Sequence, residues 1–202
     1  MENDLSEAVR KDLGREGFVT WFAELCLLKS EIVHTIKMLH TWAADECVDT
    51  PTLIGPAKSR IVYEPLGVVL VIGSWNFPLY TTFGPLIHAI AAGNCAIIKP
   101  SEISANTSNM MKRFVMRQLD MNCYIVIEGQ VEVAKTLTSK KFDMICFTGS
   151  TDKGKLVAQS AARNLVPCLL ELGGKSPSIV DETADIEFAC KKISFGRYFN
   201  SG

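Results

Sequence analysis

The sequence predicts an α/β protein: an open parallel sheet of the dinucleotide-binding, Rossmann-like type, preceded by an N-terminal helical segment. Three observations predict it. Leu66 to Ile72 is an almost unbroken apolar run rich in valine, the pattern of a strand buried on both faces. Short runs of this kind alternate with helical periodicity as far as Leu172, and repeated strand–helix units specify a parallel sheet with right-handed crossovers. The strands end in polar or glycine-bearing turns, and open α/β sheets bind ligands just beyond the carboxyl ends of their strands.

Composition agrees with a folded core. The chain has 202 residues, 48% hydrophobic and 21% charged, enough to bury one domain with part of a second. A net charge of −1 without a long Lys/Arg run implies neither a nucleic-acid nor an anionic-membrane partner. The apolar runs fall short of a bilayer span, and the opening MENDLSEAVRKD lacks the apolar core of a signal peptide, so a cytoplasmic protein without a membrane segment is expected. The seven cysteines stand singly and the three histidines share no paired spacing, so no metal site is expected.

Taken in order, Phe18, Trp21, Phe22, Leu25, Leu28, Ile32, Ile36, Leu39 and Trp42 recur at helical spacing, with Glu24, Lys29, Glu31 and Lys37 between them. They predict one long amphipathic packing helix, or two in line. Thr50–Pro56 reads as a connection, and Arg60–Glu64 as a short strand leading into the central one. Then follow a helix over Leu79–Ala92 ended by Gly93, a strand over Cys95–Ile98, a helix over Thr107–Leu119 and a strand over Tyr124–Ile127. Val131–Leu137 reads as a helix, Met144–Phe147 as a strand, Lys155–Ala162 as a helix and Leu169–Leu172 as a buried strand. Residues 1–172 are expected to form the N-terminal helices and nucleotide-binding domain, and 173–202 to begin another.

Four stretches could carry chemistry. Asn76, in Trp-Asn-Phe-Pro after the central strand, is either a turn residue or an amide donor able to stabilise a developing alkoxide. Lys99 and Glu102, in KPSE, read either as a helix start capped by Ser101 or as partners for ribose hydroxyls at a strand's carboxyl end. Gly149 to Gly154, GSTDKG, is either a glycine turn or a loop whose amides and Ser150 hydroxyl approach a phosphate. Glu171 precedes two glycines. It is either a salt-bridged strand end or a desolvated general base with its pKa raised.

EPLGVVLVIGSWNFP, KPSE, FTGST and LELGGKSP together resemble the aldehyde dehydrogenase superfamily, and the first wording is most like its class 3, fatty-aldehyde branch. The resemblance implies NAD(P)-dependent oxidation of an aldehyde to a carboxylic acid, with NAD favoured over NADP. It makes Asn76 the oxyanion side chain and Glu171 the base that activates the hydrolytic water. Lys99 and Glu102 would hold the adenosine ribose, Gly149, Ser150 and Gly154 would form the cofactor loop, Trp75 would line the cofactor, and Leu172 would lie near the nicotinamide. A homodimer is implied for a full-length member.

The family attacks the aldehyde with a cysteine closing a Phe-x-Asn-x-Gly-Gln-x-Cys pattern. Here Tyr198-Phe199-Asn200-Ser201-Gly202 matches its start, with tyrosine for the first phenylalanine. Cys168 cannot replace the nucleophile, being three residues from Glu171 on a strand and so on the opposite face. Cys95 and Cys146 sit in apolar strands, where a thiol is inert. Two readings stay open: part of an aldehyde dehydrogenase whose cysteine lies beyond these residues, or a short non-catalytic nucleotide-binding or interaction module. Ile193–Phe199 carries apolar side chains suited to packing under a further domain.

Overall fold

The computed structural model describes residues 2–201, so Gly202, the last residue of the terminal motif, lies outside them. Helix α1 (Glu2–Leu13) is followed by α2 (Gly17–Thr20), a π-helical turn (Trp21–Leu25) and α3 (Cys26–Trp42), which run on as one helix. The sequence reading did not anticipate α1. Gly14 ends it with φ +66, the left-handed conformation that closes helices. Strands β1 (Glu46–Val48) and β2 (Ser59–Ile61) pair antiparallel in a sheet of their own. The stretch expected to lead into the central strand is thus half of a separate hairpin, because the unforeseen β1 completes its ladder.

Among the described residues, five parallel strands form the main sheet in the order β5-β4-β3-β6-β7. They are β3 (Val68–Ile72), β4 (Cys95–Lys99), β5 (Tyr124–Val126), β6 (Met144–Gly149) and β7 (Cys168–Leu172). The crossovers are α4 (Tyr80–Ala91), α5 (Ala105–Gln118), α6 (Val131–Thr138) and α7 (Thr151–Ala162), and α8 (Ile186–Tyr198) follows the sheet. The chain enters at β3, moves outward through β4 to β5, and returns to β6 on the other side of β3. The reversal makes the crevice at the carboxyl ends of β3 and β6 the topological switch point.

Alternation along the strands builds two cores. Val69, Val71, Ala96 and Ile98 face α1, α3, α4 and α5, while Leu70, Ile72, Ile145 and Phe147 face α6 and α7. Each buried side chain of this size contributes roughly 1.5–3 kcal/mol, which makes β3, with Val69–Ile72 all buried, the anchor of the sheet.

Two expectations fail here. Strand β7 is an edge rather than a buried strand, with no residue in the buried class. The apolar stripe of the long helix is mostly exposed: Phe18, Trp21, Phe22, Ile32, Ile36, Leu39 and Trp42 all face outward, and only Leu25 and Leu28 of that set are buried. The stripe that packs is instead Thr20, Glu24, Leu28 and Thr35. Two stripes at helical spacing competed, and the one carrying Glu24 won because its carboxylate has partners inside. Apolar residues of α8, Phe195 and Tyr198 among them, are exposed.

Candidate functional site

The carboxyl edge of the sheet gathers every residue singled out from the sequence. The registers align Ile72, Lys99, Phe147 and Leu170 side by side. Gly73, Thr148 and Glu171 therefore stand one step beyond that line, and Ser74, Gly149 and Leu172 two steps beyond it.

At the end of β3, Gly73 packs against Thr82 of α4 so closely that a Cβ would collide with its side chain. The next turn is tied down by polar contacts. Ser74 N–H donates to Thr81 Oγ1 at 3.0 Å, and Ser74 Oγ donates to Asn76 Oδ1 at 2.7 Å. This second bond decides which end of the Asn76 amide accepts, leaving the NH2 end as its donor. Asn76 and Trp75 are exposed at the mouth of the crevice.

At the end of β4, Lys99 is buried at 2% exposure. Its Nζ donates to Pro100 O at 3.1 Å and to Glu102 Oε2 at 2.6 Å. Desolvation is the largest influence on Glu102 and opposes its ionisation. The Lys99 hydrogen bond, a backbone N–H and the Lys99 charge outweigh it and hold the carboxyl below its usual range. The pair is a paired ammonium with a third N–H still to give, beside an ionised acceptor.

At the end of β6, Gly149 lies over the Phe147 ring, where a Cβ would come within 2.6 Å. Ser150 caps α7 with its backbone in an extended conformation, and its side chain makes no capping bond. The structure places Gly154 elsewhere than in a loop. It lies in the first turn of α7, buried beneath Leu172, whose Cδ2 a Cβ would meet at 2.5 Å. Gly154 thus seats the end of β7 on the helix.

Glu171 pairs in register with Thr148 and is exposed. The desolvation expected of it is not supplied by the described residues, because β7 is an edge strand and its face on the α4 side is bare. Burial pushes the Cys146 and Cys168 thiols up, so neither is an activated nucleophile. Among the described residues no group of His, Cys, Asp or Glu could hold a metal, and no helix is long and apolar enough to cross a membrane.

Three residues escaped the sequence reading. Arg15 and Glu24 form a buried ion pair, Nη1 to Oε1 at 2.5 Å, and Arg15 also bonds the backbone carbonyl of Asn76. Glu24 Oε2 accepts the N–H groups of Leu79 and Tyr80, at 2.7 and 2.9 Å, and so caps α4. Asp12 does the same for α5, accepting from the N–H and Oγ1 of Thr107 and the N–H and Nδ2 of Asn106 at 2.7–3.0 Å. In sequence Asp12 stands in the last turn of α1, Arg15 between two helices and Glu24 within the long helix, and such residues usually face water.

Comparison with known proteins meets this geometry. The aldehyde dehydrogenase family model matches residues 25–202. The 4,4'-diaponeurosporen-aldehyde dehydrogenase of Staphylococcus aureus is 46% identical over 201 residues, covering 100% of this chain and 44% of that protein. A dimeric, NADP-preferring aldehyde dehydrogenase of Canis lupus familiaris is 41% identical, with the same shares covered. The solved substrate-bound state of Staphylococcus aureus AldH superposes with a TM-score of 0.97 at 46% identity, over 100% of this chain and 44% of that one. The chain therefore spans less than half the length of these relatives. With the motifs of the sheet's carboxyl edge, the family match and the superposition in agreement, the chain belongs to the aldehyde dehydrogenase family.

Proposed function

We propose that this chain is the cofactor-binding half of an enzyme that oxidises aldehydes to carboxylic acids with NAD(P). The observation that carries the reading is the convergence of the Asn76 turn, the Lys99–Glu102 pair and the Gly149–Ser150 turn on one switch-point crevice. The Lys99–Glu102 pair fits a ribose, since a spare N–H and a charged acceptor suit two vicinal hydroxyls. The charge of Glu102 disfavours a 2′-phosphate and Lys99 offsets it, so NAD is preferred and NADP tolerated. The relatives support both cofactors: the dog enzyme is NADP-preferring, and a Staphylococcus aureus betaine aldehyde dehydrogenase, 29% identical, is solved with NAD+.

When bound, the nicotinamide accepts hydride. The residues of this half bind and place the reactants, and one of them accepts a proton. Gly149, Ser150 and the start of α7 present backbone N–H groups to a phosphate. Trp75 would border the cofactor, and Leu172, seated by Gly154, would lie near the nicotinamide. Asn76 donates its NH2 to the alkoxide that develops when a thiolate attacks the aldehyde. Glu171 takes the proton of the hydrolytic water. Among the described residues its strand face is open. We infer a homodimer, by extension from the dimeric dog relative.

Titration with each cofactor tests the reading. Glu102→Gln removes the acceptor's charge and its repulsion of a 2′-phosphate together, so NAD affinity falls more than NADP affinity. Equal losses for both reject the ribose role, and an unmodified protein that binds neither rejects the function.

A further inference from the structure

Arg15 joins the Asn76 turn to the terminal segment. It lies between α1 and α2, 7% exposed, with Nη1 on Glu24. Its Nη2 donates both to the Asn76 carbonyl and to Asn200 Oδ1, the latter at 2.5 Å. Asn200 closes the circuit, its Nδ2 donating to the same Asn76 carbonyl at 3.1 Å. The guanidinium lies 5.0 Å from the Phe77 ring centroid, and Phe77 stacks on Phe199. One side chain thus holds two turns that stand 61 and 185 residues from it in sequence.

Stability is a poor account of this arrangement. Replacing a buried ion pair by packed apolar side chains is often neutral or stabilising. Here Arg15 Nε is buried with no hydrogen-bond partner among the described residues, and burial pushes the Glu24 carboxyl up against the pull of Tyr80 N–H and Arg15. What a guanidinium offers, and an apolar side chain or a lysine does not, is a rigid planar fork that fixes direction.

We propose that Arg15, oriented by Glu24, is a positioning residue that sets the Asn76 amide relative to the Asn200 turn. The distance between the alkoxide donor and the chain running on from Asn200 is then fixed before substrate arrives. This deepens the aldehyde-oxidising reading and rests on it. Misplacing a reacting group by about 1 Å costs roughly a hundred-fold in rate without altering the binding of groups elsewhere.

The test uses the complete enzyme carrying this chain, unmodified and as Arg15→Lys, Asn200→Ala and the double variant. Arg15→Lys keeps the charge and loses the fork, so kcat is expected to fall roughly ten- to a hundred-fold. Aldehyde KM and the NAD dissociation constant should stay within about twofold. Asn200→Ala cuts the far end of the same circuit, and should lower kcat at an unchanged melting temperature. The double variant should lose little more than either single one. An unmodified enzyme that oxidises no aldehyde overturns the functional reading and this inference with it. An active one in which kcat survives Arg15→Lys, or falls only in step with NAD affinity, overturns the positioning role alone. Should Arg15→Lys fail to fold, Asn200→Ala decides: the loss of kcat upholds the role and wild-type kcat overturns it.

Discussion

Asn76 and Glu171 both stand at carboxyl ends of parallel strands with only β6 between those strands, yet their surroundings differ completely. The Asn76 turn follows the central strand, whose last four residues are buried. It is fixed by Ser74, Thr81, Arg15 and Asn200, and the helix after it is capped by Glu24. The Glu171 turn follows an edge strand, where a Cβ added at Gly173 or Gly174 would meet open space and both apolar neighbours of Glu171 are partly open. A central strand inherits neighbours on both sides and both faces, so its end can be built from this chain alone. An edge strand's outer half needs a surface brought from elsewhere. This chain therefore fixes the proposed alkoxide donor and leaves the proposed base open.

Breaking the fixed end should have the largest effect. Glu24→Ala leaves the Arg15 charge buried without its partner and uncaps α4, a loss of roughly 3–5 kcal/mol. Urea unfolding of the chain would measure it, and a loss under about 1 kcal/mol would show the turn held by packing alone. Asn76→Ala, in an enzyme with its cysteine, should lower kcat about a hundred- to thousand-fold, equivalent to roughly 2.7–4 kcal/mol, with cofactor affinity little changed. Loss of NAD binding without that fall would make Asn76 structural.

The two acidic caps sharpen the contrast further. Asp12→Ala should cost about 1 kcal/mol, rising towards 2 because four hydrogen bonds are lost. Desolvation opposes ionisation of Asp12, but the Thr107 and Asn106 bonds outweigh it and hold the carboxyl below 3.8. Its contribution is present above pH 3.8 and is lost as pH falls through the lower folded value. Glu24 has the opposite sign. Its folded pKa lies above 4.5, so its ionisation subtracts stability as pH rises from 4.5 through that value. Unfolding curves from pH 2.5 to 7 should lose the acid-side slope in Asp12→Asn, and in Glu24→Gln the deficit against wild type should narrow as pH rises from 4.5 through the folded Glu24 value. The smallest effect belongs to the open end. Glu171→Gln should leave the stability of the chain within about 0.5 kcal/mol, as for a surface site. In the complete enzyme it should spare acyl-enzyme formation more than deacylation, as single-turnover kinetics would show.

The sequence by itself determined the alternation of strands and helices from β3 to α7, the apolar centre of the sheet and the turns that carry Asn76, Lys99, Gly149 and Glu171. Those features are local: a valine run, a helical period or a glycine after a strand has its meaning within about ten residues. Tertiary structure decided which stripe of the long helix packs, because Glu24 is acceptable inside only where Arg15 and the first turn of α4 meet it. It decided that Gly154 serves Leu172 and that Glu171 lies on an edge, since strand order is set by crossovers rather than by composition. Arg15 was illegible for the same reason. Between two helices it reads as a solvated charge, and the partners that make it a joint stand 9, 61 and 185 residues away.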